Sequence, residues 1–237
     1  MSYGFKIIVE GDYACFTRPE LKVERTTYDV PTPSALEGLL KSIYWKPAIK
    51  YVIDRIIVFN DIKYMNIKRN EVKSKGSTSP IYTSEDRTQR SAMILKDVKY
   101  GVEFHFELTG EAMEIEDNAN EKHYNIIKRR LEKGQFFKVP CLGCAEFPAK
   151  KIDLLAEGED FDLSLQDKKI KESGEIDLGF MVYGLTFEDS QNRKLDYWKK
   201  VKGERETASD KANASYYRPK MVNGQIDVAK YAEDVRC

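Results

Sequence analysis

Two neighbouring residues, Lys122 and His123, carry the first chemistry this sequence offers. Histidine occurs twice in 237 residues, and it exchanges a proton near neutral pH with little tuning. His123 lies at the front of the helical stretch NEKHYNIIKRRLEKGQ, residues 120–135, where open backbone N–H groups and the helix dipole favour an anion such as phosphate. A lysine beside that histidine suits a phosphate clamp next to a general acid or base, although a solvated polar first turn would read the same way. Farther along, Lys128, Arg129, Arg130 and Lys133 leave only part of the circumference for packing, so several must meet solvent or a polyanion. Gly134-Gln135-Phe136 follows, and a glycine beside basic and aromatic groups lets a bound strand come close to the backbone.

A second cluster is IYWKP at 43–47. Ile43 continues an apolar stripe, Tyr44 and Trp45 fall where a helix ends and an aromatic can meet a ligand or simply form a rim, and Lys46 adds a cation. The four cysteines give one suggestive spacing, CLGC at 141–144. A zinc site needs four ligands, and neither Cys15 nor His105 supplies a second half, so the pair reads as a turn bent at Gly143 and no metal or cofactor is assigned. His105 reads as a solvated strand histidine.

The elements that must position these groups follow from periodicity. Phe5–Glu10 is short, apolar and β-branched, as a strand buried on both faces is. Pro33–Trp45 carries Leu36, Leu39, Leu40 and Ile43 at helical spacing behind a Thr32 N-cap, and Pro47 closes it. Tyr51–Phe59 and Ile62–Val72 read as a hairpin turning at Asn60-Asp61, and KGSTSPIYTSEDRTQRS at 75–91 reads as a mobile loop. In Leu95–Leu108, Val98, Tyr100, Val102, Phe104, Phe106 and Leu108 share one buried face, with a wet face opposite. Tyr124, Ile127 and Leu131 form the stripe of the basic helix, with Asn118 or Asn120 as its cap and Gly134 as its left-handed terminus. FFKV at 136–139 reads as strand. Beyond about residue 152 come short strands between acidic turns, the best being Leu178–Phe187 and Lys194–Val201, then a short helix over Asp227–Val235. The expectation is an α+β protein: a ferredoxin-like (RRM-like) N-terminal domain over 1–152 and a small antiparallel β-sheet C-terminal extension over 153–237.

Formal net charge is +0 with 33% charged residues, which excludes a globally basic nucleic-acid binder but permits a basic face. Basic residues concentrate at Lys22–Arg25, Lys46–Arg55, Lys63–Lys75 and Lys122–Lys138. No stretch approaches the roughly 18 apolar residues of a membrane span, and Met1 leads almost at once into a strand, so a cytoplasmic protein is expected.

The segments GDYACFTRPELKVERTTYDVPTPSALEGLLKSIYWKPAI, RNEV at 69–72, EKHYNIIKRRLEKGQ, LGCAEFPA at 142–149 and MVYG at 181–184 together resemble the CRISPR-associated Cas-five family, in the variant of type I-C systems. The resemblance runs from about Tyr3 to Ala149 and thins afterwards. It implies the ferredoxin-like domain with its β extension, and a subunit that cuts the repeat of the CRISPR precursor RNA without metal and keeps the crRNA 5′ handle. The catalytic residues it implies are Tyr44, Lys122 and His123. Metal-free cleavage attacks with the RNA 2′-OH, which calls for a base, an acid for the leaving 5′-oxygen and a cation for the phosphate. Tyr44 or His123 can serve as base, His123 as acid if Tyr44 is base, and Lys122 as clamp. A phenol of ordinary pKa, about 10, needs a neighbouring cation to act as base. Candidate RNA contacts are Lys22, Arg25, Lys46, Arg129, Arg130, Lys133 and Gly134. Implied partners are the large and backbone subunits of the type I-C interference complex. A non-catalytic subunit capping the 5′ handle is the alternative, and double-stranded DNA binding through the same cations the weaker one.

Overall fold

The computed structural model describes residues 4–21, 23–74, 80–110, 119–187 and 212–236. Lys22, Asn118, Lys194–Val201 and Cys237 lie outside the described residues. The first helix, α1 (Pro33–Ile43), starts as expected: the Thr32 hydroxyl accepts the Ala35 N–H at 3.2 Å, and Pro33 occupies the first turn. Leu36, Leu39, Leu40 and Ile43 are buried. The helix ends at Ile43 and not at Trp45, because Tyr44 is already extended at φ −150°.

The sheet is organised on strand β4 (Arg87–Leu108), 22 residues long. Strand β1 (Gly4–Ala14) lies antiparallel along one edge, from Gly4 opposite His105 to Ala14 opposite Leu95. The other edge takes two strands end to end: β2 (Ile49–Val58) against residues 100–108 and β3 (Lys63–Val72) against residues 87–96. The expected hairpin of these two strands does not exist. Both run antiparallel to the same strand, so the chain does not reverse at Asn60-Asp61; that dipeptide is a joint, with Asn60 donating to the Asp97 carbonyl at 2.7 Å and the Asp61 N–H to the Asp167 carboxylate at 2.8 Å. The expected loop over 75–91 is corrected in the same way, since residues 87–91 pair with β3; ladder pairing outweighs the local turn preference of a polar stretch.

Helix α2 (Asn120–Glu132) packs near strand β5 (Lys151–Leu154), which pairs antiparallel with β1. Its N-cap is Ala119 without a side-chain cap, so Asn120 is the first helical residue and not the cap. Gly134 takes the expected left-handed conformation at φ +60°. FFKV at 136–139 is not a strand: Phe137 and Lys138 both donate their N–H to the Ser42 carbonyl, at 2.9 and 3.0 Å, which binds the segment to the end of α1. Leu163–Leu165 forms a 3₁₀ turn and Lys168–Lys171 a single helical turn, α3.

Beyond residue 152 the strands are β6 (Glu175–Asp177), β7 (Met181–Phe187), β8 (Ala212–Tyr217), β9 (Lys220–Val222) and β10 (Gln225–Asp227). The long sheet runs β5-β1-β4-β2-β10-β9-β6, so three of these strands continue it outward from β2, while β7 and β8 form their own ladder. A 3₁₀ turn over Ala229–Asp234 stands where a short helix was expected. One buried cluster joins Phe5, Val102 and Phe104 to Met181, Tyr217, Met221 and Ile226. On β4, Val98, Tyr100, Val102, Phe104 and Phe106 are buried as expected, whereas Leu108 is exposed. The opposite face is wet only in part. Phe161 packs with Ile57 and Phe59 over Gly101.

Candidate active site

The α2 stripe is His123, Ile127 and Leu131, at intervals of four. His123 is therefore turned into the protein, not held in a solvated first turn, and its exposure is 0%. Its Nδ1 lies 2.9 Å from the Tyr44 hydroxyl, and the edge of Phe106 closes the other side with ring centroids 6.1 Å apart. Tyr44, 4% exposed, is the residue at which α1 gives way to extended chain, and two further contacts fix it. The Tyr51 hydroxyl donates to its carbonyl at 2.7 Å, and the Arg130 guanidinium stands 5.3 Å from its ring centroid. Arg130 also donates to the Ile43 carbonyl, one of the carbonyls a helix end leaves open. His123 and Arg130 are seven residues apart, two helical turns, so α2 grips the end of α1 at two successive points.

Chemically, the pair is a hydrogen bond between a phenol and an imidazole. Either group can be the donor, according to the imidazole tautomer, and Nε2 is the ring's second donor or acceptor atom. Lys122, one position ahead of His123 in α2, is half-buried. Among the described residues no group of three His, Cys, Asp or Glu side chains is placed to hold a metal ion.

Comparison with known proteins places the chain. Residues 5–229 match the family model described as CRISPR-associated protein (Cas_Cas5). The chain belongs to the Cas5 family. Among its relatives, the CRISPR pre-crRNA endoribonuclease Cas5d of Mannheimia succiniciproducens is 38% identical over 252 aligned positions that span both chains completely. The protein of the same name from Thermus thermophilus is also 38% identical, over 84% of this chain and 81% of its own. A crystal structure of a CRISPR-associated protein superposes with a TM-score of 0.59 at 24% identity, covering 95% of this chain and 91% of the other, and so shares the fold.

The other residues singled out in the sequence of this Cas5 chain are spread more widely. Arg129, Lys133 and Gly134 are exposed at the far end of α2, and Lys46 is half-buried just past Tyr44. Arg25 lies elsewhere: its carbonyl accepts the Met93 N–H at 2.9 Å, and Met93 is thirteen residues, or about 40 Å of strand, from Phe106 beside His123. There it reaches the Cys144 sulfur at 3.7 Å. The remaining histidine, expected to be solvated, is half-buried and has a carboxylate partner. His105 Nδ1 meets both carboxylate oxygens of Asp54, at 3.0 and 2.9 Å. Sequence reasoning missed the parts played by Tyr51 and Phe106. Both carry a weak signal, since each stands on the apolar face of its strand.

Exposed aromatic surface lies beside the pair. Phe136 and Phe137 project into solvent, the second at 88%. Phe136 also lines a cavity of about 200 Å³ together with Ile43, Arg130, Leu131, Gly134 and Lys151.

Proposed function

We propose that this chain is a metal-independent endoribonuclease that cuts CRISPR precursor RNA within its repeat by 2′-OH attack and retains the crRNA 5′ handle. The observation that carries the reading is the hydrogen bond between Tyr44 and His123 Nδ1, in a chain whose relatives at 38% identity are named CRISPR pre-crRNA endoribonucleases. Tyr44 and His123 share the acid and base roles and Lys122 clamps the phosphate. Lys46, Arg129, Lys133 and Gly134 contact the RNA, with Phe136 and Phe137 as stacking platforms for unpaired bases. Arg130, engaged by Tyr44 and Ile43, orients the pair from within. The strand order β5-β1-β4-β2, with α1 and α2 in the two crossovers, supports a ferredoxin-like (RRM-like) plan for residues 1–152 and an extension over 153–237. The protein would work in the cytoplasm, beside the large and backbone subunits of a type I-C complex.

The burial of both rings favours a second reading, a subunit that caps the 5′ handle and uses the Tyr44–His123 bond only to lock α1 to α2. One experiment separates the two. The protein is incubated in excess EDTA with its cognate repeat RNA and with the same RNA carrying a 2′-deoxy nucleotide just 5′ of the cut. Cleavage of the first substrate alone supports the nuclease; binding without cleavage of either supports the cap.

A further inference from the structure

Far from the Tyr44–His123 pair, the end of β1 meets the turn over 141–148. The Cys15 N–H donates to the Leu142 carbonyl at 3.0 Å, and a Cβ built on Gly143 would stand 2.0 Å from the Cys15 carbonyl oxygen. The two backbones touch, and they bring two thiols to one hydroxyl. Thr17 Oγ1 lies 3.6 Å from Cys15 Sγ and 3.4 Å from Cys144 Sγ, and Cys144 packs against the buried cluster that contains Cys15. Cys15 is buried, whereas Cys144 is half-buried. Arg25 Nη1 reaches Cys144 Sγ at 3.7 Å. The carboxylates around it are paired with cations, Glu146 accepting from Arg69 Nη1 at 2.9 and 2.8 Å and Glu71 meeting Arg25 Nη2 at 3.9 Å, so the charged group in contact with the sulfur is the Arg25 guanidinium. Ala92, Ile94 and Phe147 wall the site.

We propose that Cys144 and Cys15 form a peroxide-reactive pair, in which Cys144 is the attacking thiolate and Cys15 the resolving thiol. The Cys144 thiolate attacks the outer oxygen of a hydroperoxide and breaks the O–O bond to give a Cys144 sulfenic acid; the departing alkoxide, or hydroxide from hydrogen peroxide, takes from solvent the proton Cys144 released on ionising and leaves as an alcohol or water. The Cys15 sulfur then attacks the Cys144 sulfur. An S–S bond forms, the S–O bond breaks, and the departing hydroxide takes the Cys15 proton as water. Two thiols lose two electrons and the peroxide gains them.

The ionisation of the thiols fits these roles. The neighbouring Cys15 thiol, then the Thr17 hydroxyl and the charge of Arg25, hold Cys144 below the ordinary thiol range against the opposing effect of burial. The neighbouring Cys144 sulfur and burial push Cys15 up, so that it keeps its proton until the resolving step requires it. Burial also raises Cys141, which marks it as the bystander of the CLGC pair.

The test uses the full chain, reduced, freed of reductant and treated with hydrogen peroxide. The expected product is lighter by two hydrogen masses, yields a joined peptide containing Cys15 and Cys144 on non-reducing digestion, and reverts with dithiothreitol. Cys141→Ser should react unchanged. Cys15→Ala should leave a Cys144 sulfenic acid that dimedone traps, and Arg25→Gln should slow loss of the Cys144 thiol by about tenfold. Since Cys15 is buried, Cys15→Ser is run beside Cys15→Ala and the folded one is read. Bonds through Cys141 or Cys237, faster loss of Cys141 than of Cys144, or no reaction at all would each overturn the assignment.

Discussion

At the scale of single residues the Tyr44–His123 bond is a claim about shared protons, and substitution separates it from a claim about packing. Tyr44→Phe keeps the ring and removes only the hydroxyl, and His123→Gln keeps an amide in a buried place where alanine would leave a void. Each is expected to lower cleavage of repeat RNA by about 10²- to 10⁴-fold, the range of general acid–base contributions, with repeat binding nearly unchanged in a filter or anisotropy assay. If the two act as one unit, the double variant should be no slower than the worse single one; multiplied losses would mean independent roles. Lys122→Ala should weaken binding and cleavage together, because a phosphate contact acts in the ground state as well. Equal loss of binding in Tyr44→Phe would sink the catalytic assignment. The pairing of Lys122 with His123 was legible as a motif, but the burial of His123 does not follow from that motif. Its signal is the spacing of four between His123, Ile127 and Leu131, and a polar residue type masks it.

At the scale of elements the first two left-handed glycines after the basic helix make opposite demands. Gly134 and Gly143 both have positive φ, +60° and +85°, but a Cβ on Gly134 meets open space, whereas one on Gly143 meets the Cys15 carbonyl. Gly134→Ala should therefore cost about 1 kcal/mol, the conformational penalty alone. Gly143→Ala adds a backbone collision and should destabilise by several times as much, read as the difference in midpoint of urea unfolding. Any loss of RNA affinity in the well-folded Gly134→Ala would then report close approach of the strand. Helix α1 was legible to its cap because Thr32, Pro33 and the leucine spacing all act within a few turns. The placing of β3 was not, since its partner is chosen by a ladder with residues 87–96, and nothing local distinguishes that ladder from a hairpin with β2. Phe136-Phe137-Lys138-Val139 has strand-forming residues, but Phe137 and Lys138 donate their N–H groups to the end of a helix, a partner that only the tertiary arrangement supplies.

At the scale of the whole molecule, one core runs from β1 through β4 to β10, and phenols are spread through it. Burial pushes Tyr28 up to about 12, and raises Tyr51, Tyr100 and Tyr217 too, with further upward contributions from neighbouring phenols. Free phenols in the unfolded chain ionise near pH 10. Between that value and the higher native values the folded protein binds more protons than the unfolded chain, so stability is fully present below about pH 10 and falls as pH rises beyond it. The melting temperature should then drop steeply above about pH 10, and phenolate absorbance should appear in two phases: exposed tyrosines first, and the buried set together with loss of the circular dichroism of the sheet. Because these phenols lie on both sides of residue 152, with Tyr28, Tyr51 and Tyr100 before it and Tyr217 after it, their late titration should be a single cooperative event if the sheet and its outer strands unfold together. Titration of Tyr217 well before the others would instead show that the outer strands open on their own.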